Sequence, residues 1–270
     1  MADSQTTGNL AMMTSLLLGS LAAWTWIVFR WKQGLAPIEW QAREPCPWHP
    51  VVVGLALPVS IVVQVIALRS APDIDPASVS HLRSLCLALV LEMLVLMGLL
   101  AIWTPIRAED FGLHRTQLAE NARFGLLGFL AAILPVYAVS YAVEAGGLRD
   151  EGAKHSFLQL LDKHPGPETI FWIVLAAVVL APMAEELLFR VILQGWLETR
   201  VSPRVAIGFV SILFASVHYE PGRPDHLPLF PLALILGYLY YRRHSYLAVV
   251  VLHGIFNALN VALALLFSEK

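Results

Sequence analysis

Long apolar stretches, separated by short polar connections, follow one another along the whole chain. A transmembrane α-helix needs roughly 17–25 mostly apolar residues, and most of these stretches have that length. Because the bilayer core offers no water to backbone polar groups, each stretch must satisfy its own hydrogen bonds and is therefore expected to be helical. The pattern predicts about eight membrane helices, near residues 10–29, 51–68, 85–103, 124–143, 169–199, 203–218, 227–242 and 245–267.

Composition narrows the class of protein further. Hydrophobic residues make up 57% of the 270 positions and charged residues only 14%, whereas an ordinary soluble domain carries about 25% charged residues. This composition excludes a soluble enzyme and a disordered chain. The formal net charge of −2 gives no reason to expect a nucleic-acid partner. We therefore expect an all-α, polytopic transmembrane helix bundle, an integral multi-pass protein of the cell membrane if the source is bacterial.

Polar residues inside the apolar stretches are distributed unevenly. Residues 1–145 hold about four predicted helices and no diagnostic motif, whereas residues 165–267 hold nearly all the intramembrane polar side chains. A turn-rich loop over 144–168 separates these two parts of what we expect to be a single membrane domain. Glu92 and Gln64 are exceptions in the first part, and interhelical hydrogen bonds or water contact are the favoured interpretation for both.

The first polar cluster is a pair of glutamates followed by an arginine, in an otherwise apolar helix. Ionisable groups inside a membrane cost about 2.5–3.5 kcal/mol each and are functional candidates by default. Glu186 and Arg190 are four residues apart and can pair, whereas Glu185 points about 100° away and is free to face a cavity. Pro182 removes one helix hydrogen bond and frees a carbonyl one turn earlier. An ion pair that only locks two helices is the alternative explanation.

Two further clusters lie in later apolar stretches. Phe214 precedes His218 by four residues, and His253 precedes Asn257 by the same spacing, which places each pair on one helix face. Counted along the helices, both histidines fall at depths roughly compatible with that of Glu185. The sequence therefore predicts that Glu185, His218, His253 and Asn257 line one polar cavity.

Such a cavity has the groups needed for hydrolysis. A glutamate can deprotonate water, a histidine can orient that water, and a His–Asn pair can donate hydrogen bonds to an oxyanion. Alternatively, Glu185, His218 and His253 could bind a divalent metal such as zinc, which would activate the water. The spacing alone leaves both mechanisms open.

The three motifs together resemble those of the CPBP family, the CAAX prenyl protease 2 and bacteriocin-processing (ABI) intramembrane proteases. The family pattern is EExxxR, FxxxH and HxxxN or HxxxD, and this chain reads Glu185-Glu186-x-x-x-Arg190, Phe214-x-x-x-His218 and His253-x-x-x-Asn257. The resemblance covers about residues 165–265. It implies an eight-helix-type membrane endopeptidase, for which both metal-dependent and metal-free glutamate mechanisms are considered.

The resemblance also implies roles for the motif residues. Glu185 would be the base that activates water, His218 would assist that water, and His253 with Asn257 would form the oxyanion site. The supporting residues would be Glu186, Arg190 and Phe214. The expected partners are the lipid bilayer and a membrane-associated peptide or protein substrate, possible substrates including a CAAX-type C-terminus.

Two non-proteolytic functions remain as alternatives at this level. In the first, the chain is a non-catalytic immunity or scaffold protein of the same architecture, and the polar cluster binds a partner segment or a lipid. In the second, the carboxylates translocate ions or protons. The sequence shows no internal repeat of the kind that many transporters have.

Overall fold

The described residues form a bundle of helices without any β-strand. The computed structural model describes residues 2–42, 46–70, 75, 77–148 and 156–267. Helices in these ranges are α1 (Ala2–Lys32), α2 (Pro50–Arg69), α3 (Val79–Trp103), α4 (Leu118–Ala145), α5 (Ser156–Lys163), α6 (Pro167–Leu197), α7 (Pro203–Val217), α8 (His226–Arg243) and α9 (Tyr246–Phe267). The expectation of an all-α polytopic helix bundle is confirmed. All eight predicted stretches are helical, and α5 is an additional short helix within the predicted loop.

Six of the described helices, namely α1, α2, α3, α4, α6 and α9, are long and apolar enough to cross a membrane. Helix α7 is apolar but has only 15 residues. Helix α8 has 18 residues and ends in Arg242 and Arg243. The number of about eight membrane helices therefore stays a prediction.

Helix α4 packs against α1, α8 and α9. Two glycines of α4 permit this close approach. A Cβ atom at Gly125 would lie 2.6 Å from the carbonyl oxygen of Ala248, and one at Gly128 would lie 2.5 Å from a methyl group of Leu252. The backbones of α4 and α9 can therefore approach more closely than larger side chains would allow.

Helices α2 and α3 are joined by a buried polar contact. Glu92 is 2% exposed. Its carboxylate accepts hydrogen bonds from the amide of Gln64, at 2.7 Å, and from the hydroxyl of Ser60. These bonds agree with the favoured interpretation of Glu92 and Gln64 as interhelical partners. In a membrane such bonds join helices because no water competes for the same groups.

Ion pairs fasten α5 and the start of α6 to the region where α3 begins. Lys163 contacts Asp75 at 2.8 Å, and Arg83 pairs with Glu168. The bond from Lys163, together with the backbone N–H of Ala77, lowers the pKa of the Asp75 carboxyl below its ordinary value. Helix α5 packs against α6 and forms part of the wall of the first cavity described below.

Candidate active site

The helix that carries the two glutamates changes its geometry on both sides of them. Within α6, the segments Val174–Leu180 and Leu187–Gln194 are π-helical, and a short α-helical turn, Ala181–Glu186, lies between them. At the end of the first π segment, the N–H of Ala181 donates to the carbonyl of Ala176, five residues back. Such segments are rare in proteins, and those that occur are frequently found at functional sites.

Pro182 explains how α6 is joined to α9 at this point. The next hydrogen bond in the π pattern would run from residue 182 to the carbonyl of Ala177, but proline has no N–H to donate. The amide of Asn257 donates to that carbonyl instead, with Nδ2 and the oxygen 2.8 Å apart. One turn earlier on α9, a Cβ atom at Gly254 would lie 3.0 Å from the carbonyl oxygen of Val178. The two helices are therefore in close backbone contact.

A fully buried ion pair lies behind the cavity wall. Arg190 Nε is 3.4 Å from Glu186 Oε2, and both side chains are completely buried. The other carboxylate oxygen, Glu186 Oε1, is 2.8 Å from His253 Nδ1. The Arg190 guanidinium also lies 5.0 Å from the ring centre of Phe214, and its Nη2 is 3.5 Å from the carbonyl oxygen of Ala233. The Glu186–Arg190 pair predicted from their spacing thus extends to a motif histidine.

Glu185 faces both motif histidines. Its Oε2 atom is 3.7 Å from His218 Nε2 and 3.8 Å from His253 Nε2. Oε2 is buried and has no hydrogen-bond partner among the described residues, whereas the side chain as a whole is 24% exposed. The carboxylate oxygen that the cavity can reach is therefore Oε1.

The backbone fixes which nitrogen of His218 carries a proton. This residue caps the C-terminus of α7, and its Nδ1 atom is 2.7 Å from the carbonyl oxygen of Phe214. A carbonyl oxygen can only accept, so Nδ1 donates, and Nε2 is left as the atom that exchanges a proton. Two acceptors facing each other, Nε2 and Glu185 Oε2, are compatible only when a proton lies on one of them. Glu185 and His218 therefore form a unit that can take up and return a proton.

The four predicted site residues line one cavity. Its volume is about 460 Å³, and Glu185, His218, His253 and Asn257 all contribute to its wall. The structure thus brings together side chains that are spread over α6, α9 and the end of α7. Ligand pockets are typically about 300–1,000 Å³ and are mostly apolar with a few polar groups.

Several cavity residues are absent from the sequence motifs. Tyr137 of α4 donates to Asn260 Oδ1 at 3.1 Å, and both residues line the cavity. Arg223, which is buried, and Asp225 line it from the connection between α7 and α8. Asn260 could have been found from its spacing of three residues after Asn257, on the same helix face. No sequence pattern indicates Tyr137 or Arg223.

The metal-dependent alternative is not supported by this arrangement. Among the residues described, no group of three or more His, Cys, Asp or Glu side chains could hold a metal ion. The candidate ligands Glu185, His218 and His253 do lie close together, with Glu185 Oε2 3.7 and 3.8 Å from the two Nε2 atoms. The chemistry derived below uses side chains and water.

Comparison with known protein families bears on this site. Residues 167–259 match the family model described as Type II CAAX prenyl endopeptidase Rce1-like. The matched range runs from the start of α6 into α9 and contains all four predicted site residues. It confirms the family resemblance found in the motifs. The match indicates a protease, and the long apolar helices indicate an integral multi-pass membrane protein. No curated protein and no solved structure matches the chain.

Asn257 is expected to contribute to stability as well as to the site. Replacing Asn257 by Ala leaves the Ala177 carbonyl without its partner, and an unsatisfied buried group costs about 1–3 kcal/mol. We expect a value near 1 kcal/mol because both residues are only half-buried. Thermal unfolding in detergent would measure the change. Asn260→Ala is the matched control, since it removes the bonds to Tyr137 and Phe256 from an exposed side chain that water can replace. An equal loss in both variants would contradict the assignment.

Proposed function

We propose that the protein is a membrane-embedded endopeptidase in which the Glu185–His218 unit activates a water molecule for attack on a peptide bond. The observation that carries this proposal is the position of Glu185, with one carboxylate oxygen between two motif histidines and the other open to the cavity. A general base must lie within hydrogen-bond reach of the proton that it removes. Glu185 Oε1 satisfies this condition for a water molecule in the cavity.

In the proposed reaction, the water oxygen attacks the scissile carbonyl carbon while Glu185 accepts one of its protons. The tetrahedral intermediate then carries a negative charge on the former carbonyl oxygen. When the intermediate collapses, the C–N bond breaks, and the proton moves from the Glu185–His218 unit to the leaving nitrogen. The same groups therefore act first as a base and then as an acid.

His253 and Asn257 are the proposed hydrogen-bond donors to the oxyanion. Asn257 donates one of its two amide N–H groups to the Ala177 carbonyl, and the second N–H can donate to the oxyanion. His253 Nδ1 contacts a carboxylate oxygen of Glu186, which accepts, so Nε2 donates only when the imidazole is positively charged. Donors of this type contribute about 10²–10³ to kcat in other hydrolases.

The substrate we propose is the end of a membrane-associated peptide, a CAAX-type C-terminus being the first candidate. The description of the matched family supports this class of substrate. The cavity volume of about 460 Å³ is also small for a folded domain and suited to a short extended segment. The apolar parts of the wall would contact apolar side chains next to the cleaved bond.

The experiment that tests the proposal compares membrane proteomes of cells that contain the intact protein with cells that contain Glu185→Ala. A peptide bond that is cut only by the intact protein is expected. Purified protein, with Glu185→Ala and His253→Ala as inactive references, should then cleave a synthetic peptide spanning that bond. Full cleavage by both variants would contradict the proposed mechanism. A biological effect preserved in Glu185→Gln would support a non-catalytic immunity or scaffold function instead.

A further inference from the structure

A second cavity lies between α1, α4 and α8, and shares no lining residue with the catalytic cavity. Its volume is about 270 Å³, and its wall is almost entirely apolar. Representative lining residues are Ala23 and Trp24 of α1, Leu127 and Ala131 of α4, and Ile235 and Tyr238 of α8. An engineered apolar cavity of about 150 Å³ stays dry and binds benzene, so a larger one can accept hydrocarbon.

The shape of this cavity depends on a contact between α1 and α4. Trp24 Nε1 donates to the carbonyl oxygen of Ala131 at 3.0 Å, which satisfies the polar atom of the indole. The apolar part of the ring is then available to the cavity. Of the six long apolar helices, α1 is the least enclosed, with 11% of its apolar segment buried. The cavity therefore lies at the edge of the bundle, where lipid can reach it.

Two arginines hold the loop that forms one end of the cavity. Pro37 and Ile38 belong to the cavity wall. Arg30, in the last turn of α1, donates from Nε to the carbonyl oxygen of Ala36 at 2.9 Å. Arg242, in the last turn of α8, donates from Nε to the carbonyl oxygen of Ile38, also at 2.9 Å. The two guanidinium groups are thus fixed to carbonyls only two residues apart, beside an apolar cavity.

The remaining charges near this end leave donors available on both arginines. Arg30 Nη2 is 3.8 Å from Glu39 Oε1, but the Glu39 side chain is 68% exposed, so this pair is weak. Arg243 is occupied by Glu120 at 2.9 Å. Among the described residues, Arg242 has no acidic partner, and its guanidinium lies 5.4 Å from the ring centre of Trp40.

We propose that this cavity and its two arginines form a binding site for an anionic phospholipid. One acyl chain would lie between α1, α4 and α8, and the phosphate would bind the Nη groups of Arg30 and Arg242, replacing the weak contact of Arg30 with Glu39. An acyl chain in the cavity would make van der Waals contacts with the apolar lining residues, and guanidinium groups bind phosphate in a fork geometry. Basic pockets between membrane helices bind acidic lipid head groups in the same way.

The test is lipid binding by the purified full-length protein, measured by native mass spectrometry with phosphatidylglycerol and with phosphatidylcholine. We expect retention of phosphatidylglycerol over phosphatidylcholine, and a loss of about tenfold in phosphatidylglycerol affinity for each of Arg30→Gln and Arg242→Gln. Arg200→Gln is the matched control, because Arg200 is also a surface arginine stacked on a tryptophan, Trp196. It should leave lipid binding unchanged.

A second variant tests the apolar part of the site separately. Ala23→Phe places a ring in the cavity and should reduce phosphatidylglycerol binding while both arginines remain. Glycerol phosphate, which has the head-group charge and no acyl chain, should not compete. Equal retention of both lipids, unchanged binding in the arginine variants, or competition by glycerol phosphate would each overturn the proposal. Because the readout is bound lipid, the result does not depend on the proposed proteolysis.

Discussion

Glu185→Gln is expected to lower kcat/KM for the cleaved peptide by a factor of about 10²–10⁴, the usual contribution of a general base. The substitution keeps the shape of the side chain and removes its ability to accept the proton from water. KM should change little, because the peptide contacts many other groups in the cavity. The measurement is steady-state cleavage of the synthetic peptide identified in the proteome comparison.

His218 provides a second test of the same mechanism. If Glu185 and His218 handle one proton together, His218→Ala should cause a large loss of its own, and the double variant should be little worse than Glu185→Gln alone. Independent roles would instead give losses that multiply. Glu168→Gln is the control, since Glu168 lies on the same helix but is exposed. Near-normal cleavage by Glu185→Gln would remove Glu185 from the reaction.

The helices could be predicted well because their cause is local. The run 51–68 is observed as the helix Pro50–Arg69, and the run 169–199 as Pro167–Leu197. Long apolar segments in a membrane have few alternatives to a helix, so composition and length are enough. The π segments of α6 are different. In the first of them the carbonyl of Ala177 accepts from Asn257, 80 residues away, and no local pattern contains that contact.

The site could be predicted in part for a similar reason. Buried charges need partners, and spacings of four residues place partners on one face, so the motif residues could be grouped before the structure was known. The sequence does not indicate that Glu186 contacts His253, or that Glu185 faces the Nε2 atoms of both histidines. Those contacts depend on how α6, α7 and α9 cross. Tyr137 lines the cavity only because of how α4 packs, and no sequence motif contains it.

Glu186→Gln is expected to lower the free energy of unfolding by about 3–5 kcal/mol, the usual cost of leaving one member of a buried ion pair without its partner. Arg190 is completely buried, and Glu186 is its only carboxylate within salt-bridge distance among the described residues. The variant keeps the side-chain size, so the loss would come from charge rather than from a cavity. Denaturant unfolding in detergent micelles would measure it.

Two comparisons separate this electrostatic effect from general damage to α6. Glu168→Gln breaks the exposed pair with Arg83 on the same helix and should cost less than about 1 kcal/mol. The double variant Glu186→Gln, Arg190→Met removes both charges and should be more stable than Glu186→Gln alone, because no unpaired charge stays buried. If the double variant were the less stable of the two, the loss would have to come from packing around Phe214 and Ala233, and the ion pair would not be the stabilising element of the site.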